Sequence, residues 1–262
     1  MFAKITRKIF RWWRKYEDLQ IKSLTQKYTF CGFKRFYHFH SRKTAGTTFA
    51  KSFLALSGGD GNQLFTQLGK QSNRPMVRNG LVYVGWDKSL IEAGDYFFGF
   101  SHIPYHQLEL PNETFTFASF RDPAERVISH YRMLQDFSRQ SIKHPCFSEE
   151  GPWLGNSFSD FLNRIPRIHL LNQLYMFSEN FDVDEATERI AELNHCFFVD
   201  RIQLGLEQFR SLTGIKLPAR HDRMSEYSFQ ISEDDQLRLR ELLDLEYQLL
   251  HRIKQTNQLA AA

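Results

Sequence analysis

The sequence predicts an α/β fold in which a central parallel β-sheet is flanked by helices, and three observations carry that prediction. Short apolar strand-like stretches alternate with helix-like ones along the chain, the pattern of a parallel sheet covered on both sides. The stretch Thr114–Phe120 is apolar on both faces, as a central parallel strand is. It runs straight into a helix start with Asp122 as N-cap, Pro123 at the first helical position and Glu125 as capping-box partner. Val127, Tyr131 and Leu134 then supply that helix's buried stripe.

The other elements follow from the same patterns. Phe36–His40, Leu81–Val84, Tyr96–Phe100 and Cys196–Val199 read as strands. Helices are expected from Thr47 onward, near 158–177, near 184–193, over about 202–213, and after Ser232, with Leu239, Leu243, Tyr247 and Leu250 facing inward. The Gly-, Asn-, Gln- and Ser-rich stretch 57–80 reads as loop, and 136–160 as irregular, either a flap over a site or a plain surface loop. Residues 4–24 read as a helix in which Ile5, Ile9, Trp12, Trp13 and Tyr16 interleave with Arg and Lys. Two roles stay open for it: peripheral contact with an anionic membrane surface, or packing of its aromatics on the domain. The short apolar face and the lack of a lipidation signal favour packing. The expected organisation is a basic aromatic N-terminal helix over residues 1–30 and one domain over 31–262.

Composition narrows the functional classes. With 262 residues, 42% of them hydrophobic and 25 of them Phe, the chain can build a large core. The formal charge of +4 is uneven: residues 1–35 carry ten Lys/Arg against Glu17 and Asp18, net +8, which leaves the rest at −4. That is not the basic body of a nucleic-acid binder. Cys31, Cys146 and Cys196 are odd in number and lack CxxC spacing, so neither a disulfide framework nor a zinc site is expected, and a reducing compartment is the simpler setting. No apolar run reaches bilayer-spanning length and no signal-peptide core is present, so a cytoplasmic location is expected.

Two stretches carry the chemistry. Arg42-Lys43-Thr44-Ala45-Gly46-Thr47-Thr48 joins a strand to a helix, the position at which open α/β sheets bind ligands. Gly46 permits a positive φ and lets backbone amides converge on an anion. Thr47 and Thr48 stand at the first helical turn, where the dipole favours phosphate. The loop is not a Walker A sequence, because Lys43 precedes Gly46 instead of following it. This moves the lysine toward the outer side of the phosphate, where a leaving group departs. Taken alone, the loop reads equally well as a basic turn with an ordinary cap. The second stretch, Ser119–Tyr131, again joins a strand end to a helix. Arg121 emerges at the crevice with Ser129 two turns on, and a forked guanidinium suits a phosphate monoester. A salt bridge from Arg121 to Asp122 or Glu125 is the less favoured alternative. Arg126 is expected in such a pair, and His130 in packing.

Together these stretches resemble the carbohydrate sulfotransferases that use 3′-phosphoadenosine 5′-phosphosulfate (PAPS), in particular the heparan sulfate 2-O- and 6-O-sulfotransferase branch and its bacterial relatives. The resemblance runs from about residue 36 to 253 and includes Gly99–Tyr105. It implies a single P-loop-NTPase-like domain. It also implies that residues 42–48 hold the 5′-phosphosulfate, that Arg121 and Ser129 hold the 3′-phosphate, and that 3′-phosphoadenosine 5′-phosphate (PAP) is released without any metal. Ser41-Arg42 stands where the family has Ile-Pro, and Ser101-His102 where it often has Gly-His. Lys43 would stabilise charge on the bridging oxygen. His102 would be the general base, with Glu125 and His106 in reserve, although a histidine before Ile103-Pro104 also suits a loop cap. Arg220, Arg223 and Ser225 lie on a late basic loop that the family resemblance places over the nucleotide. A carbohydrate acceptor is expected, with His40, Arg42, Trp86, Lys143, His144 and Trp153 as candidates to line its site. The alternatives are an ATP-dependent kinase of similar architecture and a non-catalytic nucleotide- or glycan-binding module.

Overall fold

The computed structural model describes residues 16–218 and 230–259. The first helix, α1, covers residues 16–25, so most of the expected basic helix lies outside the described residues. There follow β1 (Arg35–Phe39), α2 (Gly46–Ala55), α3 (Gly61–Lys70), β2 (Met76–Arg78), β3 (Leu81–Gly85), α4 (Lys88–Ala93), β4 (Phe98–Ser101) and β5 (Thr114–Phe120). The chain continues through α5 (Pro123–Arg139), α6 (Pro145–Glu150), α7 (Phe158–Arg164), α8 (Arg167–Leu170), α9 (Asn172–Tyr175), α10 (Val183–Ala191), β6 (His195–Phe198), α11 (Ile202–Thr213), α12 (Glu233–Leu242) and α13 (Asp244–Leu259). Among the described residues the architecture is α/β, with a six-stranded sheet in the order β2-β3-β4-β1-β5-β6. The pairs β3–β4, β4–β1, β1–β5 and β5–β6 are parallel, and β2 is antiparallel to β3, so the sheet is mixed rather than wholly parallel.

Alternation along β1 and β5 divides the core. Phe36, Phe115 and Phe117 pack with Phe49 and Phe53 of α2 and Phe209 of α11 on one face. Tyr37, Phe39, Ala118 and Phe120 pack with helices α5, α7, α10 and α13 on the other. Phe53 stacks on Phe98 at 4.0 Å between ring centroids, and it also stacks on Phe117 at 5.7 Å. Burial of an aromatic side chain of this kind contributes about 1.5–3 kcal/mol, so these contacts fix α2, and with it the preceding loop, against the sheet.

Helix starts behave as the capping residues dictate. Asp122 accepts from the Glu125 amide at 3.0 Å with Pro123 behind it, and Ser232 accepts from the Asp235 amide at 3.1 Å. Four expectations need correction. Residues 57–80 are not loop throughout: Asp60 caps α3, whose Leu64 and Leu68 are buried, and β2 follows. Residues 136–160 contain the end of α5, the whole of α6 and a 3₁₀ turn at Gly151–Trp153. The helix expected over 158–177 is three short ones, α7 ending just before Pro166, since proline disfavours helical backbone in the residue before it. The helix after Ser232 breaks at Leu243, which is itself fully buried. All three cysteines are free thiols, and among the described residues no helix is long and apolar enough to cross a membrane.

Candidate active site

Strands β4, β1 and β5 lie side by side with their carboxyl ends in register, Phe39 standing opposite both Ser101 and Ala118. The chain leaves β1 toward the β3 side of the sheet and leaves β5 toward β6. Neighbouring connections therefore diverge, which opens a crevice above the strand ends. The 40–48 loop, Arg121 and His102 are the residues that follow these three strands.

Backbone conformation gives the loop its character. Lys43 (φ 65°) and Ala45 (φ 66°) are left-handed, whereas Arg42, Thr44 and Gly46 are not. The sign of φ thus alternates over five residues, the arrangement in which successive amides line an anion-binding nest. The freedom that Gly46 has to take a positive φ is not used. Gly46 is required for space, because a Cβ there would lie 1.8 Å from Cδ2 and 2.0 Å from Nε2 of His40. Helix α2 starts at Gly46 behind N-cap Ala45, which offers no side-chain cap. Its first backbone bond runs from the Phe49 amide to the Ala45 carbonyl at 3.2 Å. The amides of Gly46 and Thr47 thus have no helical acceptor, and they sit at the positive end of the dipole.

A buried chain of hydroxyls holds this loop from beneath. Thr44 Oγ1 donates to the Ser41 carbonyl at 2.8 Å, so at 3.0 Å from Ser119 Oγ it accepts. Ser119 in turn accepts from His38 Nε2 at 3.1 Å. The chain sets the His38 tautomer, and burial, followed by the charge of His102, pushes its pKa down to about 3. Thr44 is fully buried, so its hydroxyl serves the loop and only its amide is left for a ligand. The next residues along α9 clamp the rims of the crevice. Asn172 Oδ1 accepts from the Arg42 amide at 2.8 Å, and Gln173 Oε1 accepts from the Arg121 amide at 2.8 Å.

The crevice is positively charged. Lys43 is half-buried and has no carboxylate partner among the described residues. Burial, then the Arg121 and Arg42 charges, hold its pKa below that of an ordinary lysine. Arg121 does pair with Glu125, at 3.2 Å and in the i,i+4 relation, the contact that the sequence made the less favoured one. Glu125 is 64% exposed, and such exposed pairs contribute at most about 1 kcal/mol, so a bound phosphate can displace it. Arg42 instead reaches Glu150 at 2.5 Å, and that buried carboxylate also accepts from His130 Nε2 at 2.6 Å.

His102 follows β4 and is half-buried. Its Nδ1–H donates to the His40 carbonyl at 2.6 Å; a carbonyl can only accept, so in the neutral ring Nε2 keeps its lone pair. Burial first, then the Arg42 charge, push its pKa down to about 4. The imidazole is therefore neutral at pH 7, the state a proton acceptor requires.

Other candidates fall out differently. Ser129 is half-buried on α5, on the helix that follows Arg121. Glu125 is engaged with Arg121, and the charged neighbours of His106 are Glu179, Glu185 and Arg189. Arg126 is fully buried and pairs with Glu246 at 3.2 Å, not with Asp122 or Glu125. Trp153, partly buried, packs on His169 with ring centroids 4.6 Å apart, and His40 is buried against Gly46. Trp86 sits at the end of β3 with φ 64°, packed against Phe100. Lys143 and His144 line an open groove of about 600 Å³ between α5 and α6, together with Phe137, Ile142 and Phe147. Arg220, Arg223 and Ser225 lie outside the described residues. The residues that sequence reasoning missed are His38, Ser119, Glu150, Asn172, Gln173 and Glu246. All act across long sequence separations, so no local pattern marks them.

No model of a known protein family matches the chain, and no curated protein matches it.

Proposed function

We propose that this chain is a PAPS-dependent sulfotransferase that moves a sulfuryl group to a hydroxyl of a carbohydrate acceptor and releases PAP. The observation that carries the reading is the nest-shaped N-terminus of α2, which has no side-chain cap, with Lys43 beside it lacking a carboxylate partner among the described residues and Arg121 at the neighbouring strand end. An anionic donor with phosphate groups at two places suits that charge pattern.

On this reading the amides of residues 43–47 and the hydroxyls of Thr47 and Thr48 take the 5′-phosphosulfate. Arg121, with Ser129, takes the 3′-phosphate, and Arg220 and Arg223 cover the nucleotide. Lys43 meets the oxygen that bridges sulfur and phosphorus, where charge develops as PAP leaves. His102 Nε2 accepts the proton of the attacking hydroxyl, and the negative charge of the bound donor raises the basicity of the ring. The domain is then of the P-loop-NTPase-like kind. The setting is cytoplasmic, where the nucleotide donor is at hand, with a membrane surface as a peripheral partner for residues 4–24.

Calorimetric titration with PAP and with ATP–Mg²⁺ tests the reading. PAP should bind at least tenfold tighter, and preferred binding of ATP–Mg²⁺ would overturn the assignment in favour of a kinase. Lys43→Ala should abolish transfer from radiolabelled PAPS to glycan acceptors while leaving the circular dichroism spectrum unchanged. Tight PAP binding with no transfer to any glycan would identify a binding module.

A further inference from the structure

Asn172 and Gln173 are adjacent, yet their side chains hold two segments that lie far apart in sequence. Asn172 Oδ1 accepts from the Arg42 amide, at the start of the nest. Gln173 makes two bonds to the backbone of Arg121, Oε1 accepting from its amide at 2.8 Å and Nε2 donating to its carbonyl at 3.1 Å. The orientation of the Gln173 amide is determined by its partners. Nε2 also donates to Glu246 Oε2 at 3.1 Å, and a flipped amide would place its oxygen against both a carbonyl and a carboxylate.

The pair is itself fixed from behind. Glu246, 1% exposed on α13, accepts from the Gln173 amide at 2.7 Å and pairs with Arg126. Arg126 in turn donates to the carbonyls of His169 and Leu170, just ahead of the pair. Gln173 is 2% exposed, so water cannot take over its bonds if they are lost. One peptide unit thus sets the separation between the loop that follows β1 and the arginine that follows β5.

We infer that Asn172 and Gln173 are positioning residues that set the spacing of two anion subsites and so select a nucleotide carrying phosphates at both its 3′ and 5′ positions over one carrying a 5′-phosphate alone. This rests on the assignment above of the 5′ group to the nest and of the 3′-phosphate to Arg121. Asn172 serves the first subsite and Gln173 the second, so their loss has different consequences. Releasing Arg121 affects only a ligand that has a 3′-phosphate, whereas releasing the nest affects both ligands.

The test is a set of calorimetric titrations with PAP and with AMP on the full chain, as wild type, Gln173→Met and Asn172→Ala. Wild type should prefer PAP by about 10- to 100-fold, the worth of a charge-assisted contact. Gln173→Met keeps side-chain length and removes the amide; it should lose about tenfold in PAP affinity with AMP unchanged. Asn172→Ala should weaken PAP and AMP by a similar factor. Equal losses for both nucleotides in Gln173→Met, or no loss, would overturn the inference while the donor assignment stands. A wild type that binds neither nucleotide, or binds both alike, would overturn the donor assignment and the inference with it. Should Gln173→Met fail to fold, the half-buried Asn172→Ala decides: a loss selective for PAP, or none, overturns the proposal.

Discussion

Within the crevice, individual residues are selected by space and backbone sign before they are selected by charge. Gly46 and Ala45 show this with opposite expected outcomes. Gly46→Ala drives a Cβ into the His40 ring, and overpacking of this kind costs about 1–3 kcal/mol. Urea denaturation should register that loss, and PAP affinity should fall with it. Ala45→Gly instead removes the left-handed strain of a residue at φ 66° and should stabilise the fold by up to about 1 kcal/mol. PAP affinity should stay close to wild type, because the proposed donor site uses only the amide of residue 45. His38 makes a comparable point through hydrogen bonding. His38→Gln can still donate to Ser119 and should retain more PAP affinity than His38→Leu, which leaves the Thr44–Ser119 chain without its donor.

Among the elements, α6 depends on the site as much as the site depends on it. Six residues are too few to hold a helix alone, and α6 is fastened by Glu150, which reaches Arg42 and His130. Removing one member of a buried ion pair costs about 3–5 kcal/mol. Glu150→Ala should therefore lower stability by an amount of that order. It should also raise amide exchange across 145–150, where a fold-wide loss would raise exchange evenly. Helix α3 and helix α5 both begin with a capping aspartate. The α5 start was legible because Pro123 and Glu125 reinforce Asp122. Asp60 stands in a Gly-rich stretch that masks it, and the Leu64/Leu68 spacing was the remaining sign of α3.

At the scale of the whole molecule, buried histidines make stability depend on pH. Burial, with the His102 charge second at His38, pushes His38 to about 3. Burial likewise takes His102, His169 and His195 to about 4. All four lie below the value of about 6.5 that a histidine has in an unfolded chain. Above pH 6.5 these side chains are neutral in both states and their burial carries no proton penalty. As the pH falls from 6.5 toward 4, the unfolded chain binds protons that the folded one refuses, and stability drops by at most about 1.4 kcal/mol per pH unit for each such histidine. Urea midpoints measured from pH 7 to pH 4.5 should fall steadily, and a flat profile would show these rings to be accessible to protons in the folded state. His102 is also one of the groups proposed for catalysis, so transfer activity lost in acid would come partly from unfolding and must be separated from titration of the base.

The amino-acid sequence by itself determined the α/β class, the strand–loop–helix character of both motifs and the capped start of α5. Those features depend on neighbours within a few residues, where alternation, helical period and capping chemistry act. Only the tertiary structure decided the β2-β3-β4-β1-β5-β6 order, which makes the ends of β4, β1 and β5 adjacent. It also gave positive φ to Lys43 and Ala45 and set the His40 ring, brought in by β1, where a side chain on Gly46 would otherwise stand. The polar groups that hold the crevice in shape, His38–Ser119–Thr44 and Asn172-Gln173 with Glu246, interact across 52 to 130 residues of chain. Local sequence carries no trace of such pairs, since burial selects them only once the sheet and its helices have brought them together.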